Sequence, residues 1–362
     1  MLKLFKAVSI FVGTIIGAGI FGVPYIINKS GVVPGFFYFL ILGGVVLLIH
    51  LFFGEALLRT KESCRLPGLA QKYLGDWGKI LVMISVVSGL VGALLAYLIL
   101  AGDFLSILFS PVSNLSAVQL TVIFWIVMSY LIFRGIKLIA SVELLTNIIF
   151  FLASAAVLFF CLPRFDFRNL AVFNLPNAFL PFGVILFSLI GWSAIPEIID
   201  FLKTPREKKK IKKTIILATL VTTPFYLIFT LAVLGVVGNN ISQDVLSSLA
   251  PFLGPKIIFL AVLAALVTLA DSILVLGLHL KNTFVCDLKL SNRLSTVIAC
   301  GSPFILFLIG FRDFIGTLGF VGTVVGVIEG IAIILIFKKA KKTGNREPEY
   351  SLKIPSLLLY LL

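Results

Sequence analysis

The chain has 362 residues, of which 60% are hydrophobic and 13% are charged, and its mean hydropathy is +1.14. A soluble globular protein covers its outside with Lys, Arg, Asp and Glu, so this composition excludes that class. A formal net charge of +14 would suggest a nucleic-acid partner for a soluble chain. In a membrane protein the excess of Lys and Arg has a different origin, described below.

Ten apolar segments are long enough to cross the hydrocarbon core of a bilayer, which takes about 20 residues of helix. They predict an all-α polytopic membrane protein with a ten-helix core in residues 1–337. A basic cytoplasmic segment and a partial eleventh helix are expected in residues 338–362. The predicted spans cover residues 8–27, 33–58, 80–100, 118–133, 144–162, 178–202, 214–237, 257–280, 294–311 and 314–337.

Positive charge is distributed unevenly over the predicted loops. Most of the 30 Lys and Arg residues fall on alternate loops, on the same side as the N-terminus. Cytoplasmic loops of membrane proteins carry this excess of Lys and Arg. The bias predicts a multi-pass protein of the cell membrane with a cytoplasmic N-terminus. It also explains the net charge, so we expect no nucleic-acid partner.

The first predicted span contains an unusual stretch at residues 13–24, which reads Gly-Thr-Ile-Ile-Gly-Ala-Gly-Ile-Phe-Gly-Val-Pro. A glycine inside a helix costs about 1 kcal/mol relative to Ala, and Pro24 removes a backbone donor. Gly13 and Gly17 also form the small-xxx-small pattern of closely packed helices. The stretch therefore predicts either a packing face or a helix that is interrupted to expose backbone groups to a ligand.

The sixth predicted span carries a similar interruption, with Gly191 and Pro196 in an otherwise apolar segment. Spans one and six hold matching positions in two halves of five spans, at about residues 4–162 and 178–337. Interrupted spans at matching positions of two halves mark the substrate site of transporters. An odd number of spans per half also inverts the second half relative to the first. This comparison favours a binding site over simple packing.

The two interruptions would expose complementary backbone groups. If the first span unwinds near Gly17, the N–H groups of Ala18 and Gly19 start a new half-helix, whose positive end attracts a carboxylate. The carbonyls that end the preceding half-helix, with those near Phe187, attract an ammonium group or an alkali cation. Such a pocket matches a zwitterionic amino acid. The side chains expected to set its specificity are Phe21, Ser188, Ile190 and Trp192.

Asp271 lies in the middle of the eighth span, and a carboxylate within a membrane span is a functional candidate. Thr268, Asp271 and Ser272 share one helix face, because they occupy positions i, i+3 and i+4. Three oxygen donors on one face would suit a small hard cation such as Na⁺. Alternatively Asp271 would carry a proton, or it would only make a structural hydrogen bond.

Other ionisable residues receive simpler interpretations. Glu55 and Glu197 lie near the predicted cytoplasmic ends, where we expect salt bridges at the interface or at a gate. Glu329 lies deeper, where it could pair with a lysine near the inner face and is a stronger functional candidate. The two histidines, His50 and His279, lack partners at catalytic or metal-ligand spacing. We therefore expect neither an enzyme nor a bound cofactor.

The residues resemble a known family. Residues 13–21, Gly-Thr-Ile-Ile-Gly-Ala-Gly-Ile-Phe, resemble the first-helix signature of the amino acid–polyamine–organocation transporter superfamily. Residues 66–75 resemble its first inner loop, and residues 191–197 are similar to the sixth helix of its aromatic/hydroxy and neutral amino acid permease branches. The resemblance covers about residues 4–337. It implies the inverted five-plus-five fold of the bacterial leucine transporter, with helices 1 and 6 discontinuous and alternating access around them.

Carried over by position, the resemblance implies that Ala18 and Gly19 bind the substrate carboxylate. It implies that the carbonyls of Ile15 and Phe187 accept hydrogen bonds from the amine, next to Gly17. The position of the cation in sodium-coupled members is lined here by Gly13, Ile16, Thr268, Asp271 and Ser272. Those members carry a hydroxyl residue where this chain has Asp271, so both Na⁺ and H⁺ stay open as the coupling ion.

The sequence thus predicts a secondary transporter that imports an amino acid, neutral or aromatic, by cation-coupled alternating access. Its partners would be the small-molecule substrate, the coupling ion and the lipid bilayer. The alternative is a non-transporting amino acid sensor built on the same fold. The sequence leaves the oligomeric state open.

Overall fold

A computed structural model describes residues 2–62, 65–110, 112–135, 140–286 and 288–353, with only the backbone described at 140–143 and 286. The partial eleventh helix expected within residues 354–362 lies outside these ranges. In chain order the α-helices are α1 (Leu2–Ile15), α2 (Gly19–Ser30), α3 (Val32–Leu58), α4 (Leu66–Leu74), α5 (Asp76–Phe109), α6 (Ala117–Arg134), α7 (Ala140–Cys161), α8 (Pro181–Leu189), α9 (Ile195–Phe201), α10 (Pro205–Lys208), α11 (Ile211–Val237), α12 (Leu246–Leu253), α13 (Pro255–Cys286), α14 (Asn292–Leu308), α15 (Phe314–Phe320) and α16 (Val327–Thr343).

The expected all-α membrane architecture is confirmed. Eight helical stretches in the described ranges are long and apolar enough to cross a membrane, and α1 with α2 makes a ninth if the bent pair counts as one span. Helix α14, at the ninth predicted span, is a shorter apolar helix. Helix α5 is 34 residues long and exceeds the predicted 80–100, because the apolar window ignores polar residues that continue the helix beyond the bilayer.

Local sequence sets the ends of several helices. Ser116 caps α6, since its hydroxyl accepts from the backbone N–H of Gln119 and the Gln119 side chain accepts from the backbone N–H of Ser116. This reciprocal capping box satisfies two backbone donors at the helix start. Gly135 ends α6 in the left-handed conformation with φ of 68°, which glycine adopts without strain.

The first predicted span is bent at its glycines. Helix α1 ends at Ile15 and α2 begins at Gly19, and the two helices are bent by 50°. Pro24 lies inside α2, six residues into the helix, so the bend falls at the glycines and not at the proline. Gly17 and Gly19 sit at the bend, where a Cβ would meet the hydroxyls of Tyr97 and Ser188.

The α-helix of the sixth predicted span is interrupted at Ile190 and Gly191. Helix α8 ends at Leu189, a 3₁₀ turn covers Trp192–Ala194, and α9 follows from Ile195. Pro196 occupies the first turn of α9, where its missing N–H would have had no helical partner. The proline therefore starts a helix here and does not break one.

Helix α8 lies close to the last span. A π-helical segment, Val321–Gly326, joins α15 to α16, and Gly322 in this segment faces the backbone of α8. A Cβ on Gly322 would collide with the Gly183 carbonyl and lie 2.9 Å from the Phe187 amide. Only a glycine permits this approach, which brings the backbone around Phe187 next to the last span.

The chain's C-terminal strap, residues 344–353, crosses the end of α3. Glu55 is fully buried there and accepts hydrogen bonds from Arg59 Nε (2.8 Å), Ser351 Oγ (3.2 Å) and the Leu352 amide (2.6 Å). The Tyr350 hydroxyl donates to the Leu51 carbonyl at 2.7 Å. The expected salt bridge of Glu55 is confirmed. Residues 338–343 continue α16, so the start of the expected basic segment is helical.

Candidate functional site

A pocket of about 930 Å³, which is partly open to its surroundings, lies where the bend between α1 and α2 meets the turn between α8 and α9. Most of its lining is apolar, with a few polar groups, which is typical of small-molecule sites. The lining residues are Thr14, Ile15, Gly17, Phe53, Arg65, Leu66, Pro67, Val86, Gly89, Leu90, Ala93, Tyr97, Phe187, Ile190, Trp192, Ser193, Pro196, Leu276, His279, Val321, Val325 and Glu329. We call it the central cavity.

The structure brings part of the predicted substrate set together in this cavity. Its lining includes Ile15, Gly17, Phe187, Ile190 and Trp192. These five residues come from two predicted spans that are far apart in the chain. Their convergence places the α1–α2 bend and the interruption between α8 and α9 against one cavity.

Four other predicted substrate residues lie beside the central cavity and not in its lining. Ala18 and Gly19 are buried at the start of α2, and Gly19 packs against Ser188. The Ser188 hydroxyl donates to the Val184 carbonyl of its own helix at 2.7 Å. Phe21 packs edge-on against Phe104, lining a separate small cavity. The central cavity therefore gains no contact from the Phe21 ring.

Two buried tyrosines meet at the bend of the first span. The Tyr226 hydroxyl donates to the Ile15 carbonyl at 2.9 Å. The Tyr97 hydroxyl lies against Gly17 and interacts with the Ala18 backbone and the Ser272 side chain. Sequence analysis missed both tyrosines as site residues. The available signal was a phenol hydroxyl within an apolar span, since a buried Tyr usually finds a hydrogen-bond partner.

A side chain from another helix contacts the interruption between α8 and α9. The Gly191 amide donates to His50 Nε2 at 3.0 Å, and the His50 ring lies edge-on to Trp192 at a centroid distance of 5.9 Å. A backbone amide can only donate, so Nε2 is the acceptor and the proton of the neutral ring is on Nδ1. His50 therefore has a partner that its sequence neighbours did not reveal.

Within the described residues Glu329 makes no ion pair with a lysine, so the pair that the sequence suggested is not found. Its Oε2 accepts a hydrogen bond from Trp192 Nε1 at 2.5 Å. The two residues lie 137 positions apart in the sequence. Helix α16 packs beside the turn that carries Trp192, and this packing decides the partner.

A second, smaller cavity adjoins the first and contains the predicted cation residues Gly13, Asp271 and Ser272. Thr14, Tyr97 and Leu276 line both cavities. The other members of the smaller cavity are Ile10, Asn147, Glu197 and Val275.

Asp271 carries one satisfied and one unsatisfied oxygen. Its Oδ2 accepts from Thr146 Oγ1 at 3.0 Å, while the buried Oδ1 has no hydrogen-bond partner within the described residues. Thr268 donates to the Ala264 carbonyl of its own helix at 3.0 Å, and neither Thr268 nor Ile16 lines this cavity. Three of the five predicted cation residues therefore meet at one cavity.

Asn147 extends the polar lining of the smaller cavity. Its amide nitrogen donates to the Ser9 carbonyl at 2.9 Å and lies close to Gly13. Within the described ranges, no cluster of three or more His, Cys, Asp and Glu side chains could hold a metal ion. Any cation here would depend on isolated carboxylate, hydroxyl and carbonyl oxygens.

A bundle of apolar helices around a central cavity, lined by the bent first span and by the interrupted helix of the sixth, is typical of membrane transport proteins. The model of the tryptophan/tyrosine permease family matches residues 1–362, and the chain belongs to this family. The prediction of a membrane permease for amino acids is thus confirmed. Membership of the wider amino acid–polyamine–organocation superfamily stays a prediction.

Three relatives are amino acid transporters. The chain is 28% identical over 247 residues to tyrosine-specific transport system 2 of Haemophilus influenzae, covering 66% of this chain and 59% of that protein. It is 24% identical over 355 residues to glutamine transporter 2 of Aliivibrio fischeri, covering 93% and 90%. It is 25% identical over 374 residues to tyrosine-specific transport system 1 of Haemophilus influenzae, covering 96% and 91%.

A solved structure shares the fold. The crystal structure of MhsT in complex with L-phenylalanine superimposes with a TM-score of 0.70, covering 91% of this chain and 88% of that chain. The sequences are 14% identical, so this likeness concerns the fold alone.

Proposed function

We propose that this chain is a secondary transporter of the cell membrane that imports an aromatic amino acid together with Na⁺ or H⁺. The observation that carries the proposal is the central cavity, which lies between the α1–α2 bend and the interruption between α8 and α9 and has mostly apolar walls. The tryptophan/tyrosine permease family supports an aromatic substrate. Two of the three relatives described above are tyrosine transporters and one is a glutamine transporter, so other neutral amino acids belong in the test.

The substrate carboxylate would bind at the start of α2. The amides of Ala18 and Gly19 form the positive end of this helix, and buried amides at a helix start favour an anion. The Tyr97 hydroxyl already lies at this point and would donate to the same carboxylate.

The substrate amine would bind at the carbonyl ends of α1 and α8. The Ile15 carbonyl accepts hydrogen bonds from the Tyr226 hydroxyl at 2.9 Å and from the Gly17 amide at 3.1 Å. An ammonium group would therefore replace the bond from the Gly17 amide, since a carbonyl has two lone pairs. Phe187 supplies the matching position on α8. The aromatic ring of the substrate would then lie against Trp192 and the apolar wall of α5, where burial of an aromatic ring is favourable.

Transport would follow from movement at the α1–α2 bend and at the interruption between α8 and α9. We infer two inverted halves, with α1–α2 and α8–α9 as equivalent discontinuous spans around the substrate. The central cavity extends to Arg65, Leu66 and Pro67 at the start of α4. The positive-inside bias places this loop on the cytoplasmic side, so we infer that the cavity is the inner half of the path.

The coupling ion would act next to the substrate. Asp271 lines the smaller cavity, which shares three residues with the central cavity. Its unpartnered oxygen could hold Na⁺ or a proton. Either ion would be released or bound as the bend beside Gly13 moves.

Uptake into liposomes tests this function. Purified protein is reconstituted, and labelled tyrosine, tryptophan and glutamine are offered under an imposed Na⁺ gradient and then an imposed H⁺ gradient. We expect tyrosine or tryptophan to accumulate under one of the gradients. Binding without accumulation under both gradients would favour the sensor, although none of the relatives described above is named as one.

A further inference from the structure

Glu329 places a buried carboxylate on the wall of the central cavity, with 8% of the residue exposed. It lies in the first turn of α16, directly after the π-helical segment. Segments of π-helix are rare and occur often at functional sites. The carboxylate accepts one hydrogen bond at 2.5 Å from the indole of Trp192, which lies in the 3₁₀ turn between α8 and α9.

Within the described residues, no positively charged side chain forms an ion pair with the Glu329 carboxylate. The other titratable groups that line the central cavity are Arg65 before α4, Tyr97 on α5 and His279 on α13. His50 on α3 contacts the ring of Trp192, the partner of Glu329. Within the described ranges, none of them makes a hydrogen bond or ion pair with Glu329. An ionised carboxylate in an apolar bundle is costly unless it is paired. Binding a proton removes this cost.

The surroundings of Glu329 suit a proton and not a metal cation. Na⁺ and other hard cations need several oxygen ligands around them. The carboxylate's hydrogen-bond partner is an indole N–H, which donates and cannot coordinate a cation. Gly89 and Val325 lie on its other side, with Oε1 3.8 Å from the position of a Cβ on Gly89. A single carboxylate among such groups can bind a proton, but it provides too few oxygen ligands for a metal cation.

We propose that Glu329 is a proton-binding site inside the substrate cavity, and that its proton is exchanged during each transport cycle. An ionised carboxylate binds the Trp192 indole more strongly than a neutral acid does, because the hydrogen bond is charge-assisted. Protonation weakens this bond and frees the turn that begins at Gly191. Binding or release of the proton therefore shifts the equilibrium between two arrangements of the turn around Trp192, which lines the central cavity. This inference rests on the proposed transport function.

The Glu329→Gln variant distinguishes a proton-binding role of Glu329 from a role in substrate binding or in folding. The glutamine keeps the size of the side chain and an acceptor for Trp192, but it cannot take up a proton. In liposomes, one assay measures accumulation of the labelled substrate under a pH gradient, and a second measures exchange between labelled and unlabelled substrate without a gradient. Glu347→Gln, at an exposed position of the C-terminal strap, is the matched control.

We expect Glu329→Gln to keep exchange at the wild-type rate within about threefold and to lose accumulation. One pH unit can drive about tenfold accumulation per proton, so the variant would fall from that level to equality across the membrane. Retained accumulation would overturn the proposal. Loss of exchange together with accumulation would also overturn it, since Glu329 would then bind the substrate amine or support the fold.

The wild-type protein gives a test that needs no variant. Dicyclohexylcarbodiimide reacts with protonated carboxyl groups in apolar surroundings, and peptide mass spectrometry locates the product. We expect labelling of Glu329 that declines as the pH is raised, and the absence of such labelling would contradict the proposal. If wild-type protein exchanges substrate but accumulates it only with Na⁺, the proton site is wrong and the transport function stands. If wild-type protein exchanges none of the amino acids, the transport function itself fails.

Discussion

The Tyr226 hydroxyl donates a hydrogen bond to the Ile15 carbonyl at 2.9 Å, at the last residue of α1. Tyr226 lies on α11, 211 positions away in the sequence, and is fully buried. The end of a helix leaves carbonyls without helical partners, and within a membrane these must be satisfied by other groups. A side chain from a distant helix therefore stabilises the bend beside the central cavity.

Tyr226→Phe removes this hydroxyl and leaves the Ile15 carbonyl with one partner fewer. We expect a loss of about 1–3 kcal/mol of stability, the usual effect of an unsatisfied buried polar group. Thermal unfolding of the detergent-solubilised protein measures the effect. Tyr130→Phe is the control, because the Tyr130 residue is 58% exposed and should keep the wild-type melting temperature. Equal melting temperatures for all three proteins would show that the hydroxyl does not stabilise the bend.

Gly19→Leu places a side chain where α2 meets α8. A Cβ at Gly19 already falls on the Ser188 side chain and 3.0 Å from its backbone, so the helices must separate. Overpacking of this kind costs about 1–3 kcal/mol, and we expect about 10–100-fold weaker binding of labelled tyrosine. Gly44→Ala is the matched control, since a Cβ there has nothing within 4 Å. Normal binding by Gly19→Leu would refute the pocket assignment at the start of α2.

Asp271→Asn tests the smaller cavity as the ion site. The substitution removes the charge but keeps an acceptor for Thr146, so the contact at 3.0 Å can persist. We expect the ion dependence of uptake to shift by about tenfold or more, because hydrogen bonds and contacts of a charged group are worth about 1.5–3 kcal/mol. The preference among amino acids should be unchanged. Thr283→Val, which removes a hydroxyl bonded to its own helix, serves as control, and an unaltered ion dependence in Asp271→Asn would make Asp271 structural.

Glu55→Gln tests how the C-terminal strap is held. The buried carboxylate accepts from a guanidinium, a hydroxyl and a backbone amide, and a neutral amide cannot replace all three bonds. We expect the protein to lose about 1–3 kcal/mol of stability and the strap to be cut faster by trypsin at Arg346. The exposed Glu347→Gln is the comparison. Unchanged cleavage in Glu55→Gln would mean that other contacts hold the strap.

Much of the fold followed from local properties of the sequence. A run of apolar residues long enough for a bilayer specifies a span by itself, because each backbone group in hydrocarbon is satisfied within the helix. Gly17, Gly19 and Gly191 indicated where a helix would be least stable, because the cost of a glycine in a helix is a local term. Loop charge likewise predicted orientation without reference to any contact.

The partners of the buried polar groups depended on tertiary structure. Trp192 meets Glu329, Tyr226 meets Ile15, and His50 meets the Gly191 amide across 137, 211 and 141 positions of sequence. Such pairs arise only when helices pack, and helix packing depends on the shapes of whole surfaces. Glu329 illustrates the limit, since the sequence suggested a lysine near the inner face as its partner and helix packing supplied Trp192. The sequence by itself therefore determined the spans and the weak points of the helices, whereas the tertiary structure decided which side chains stabilise those points and line the central cavity.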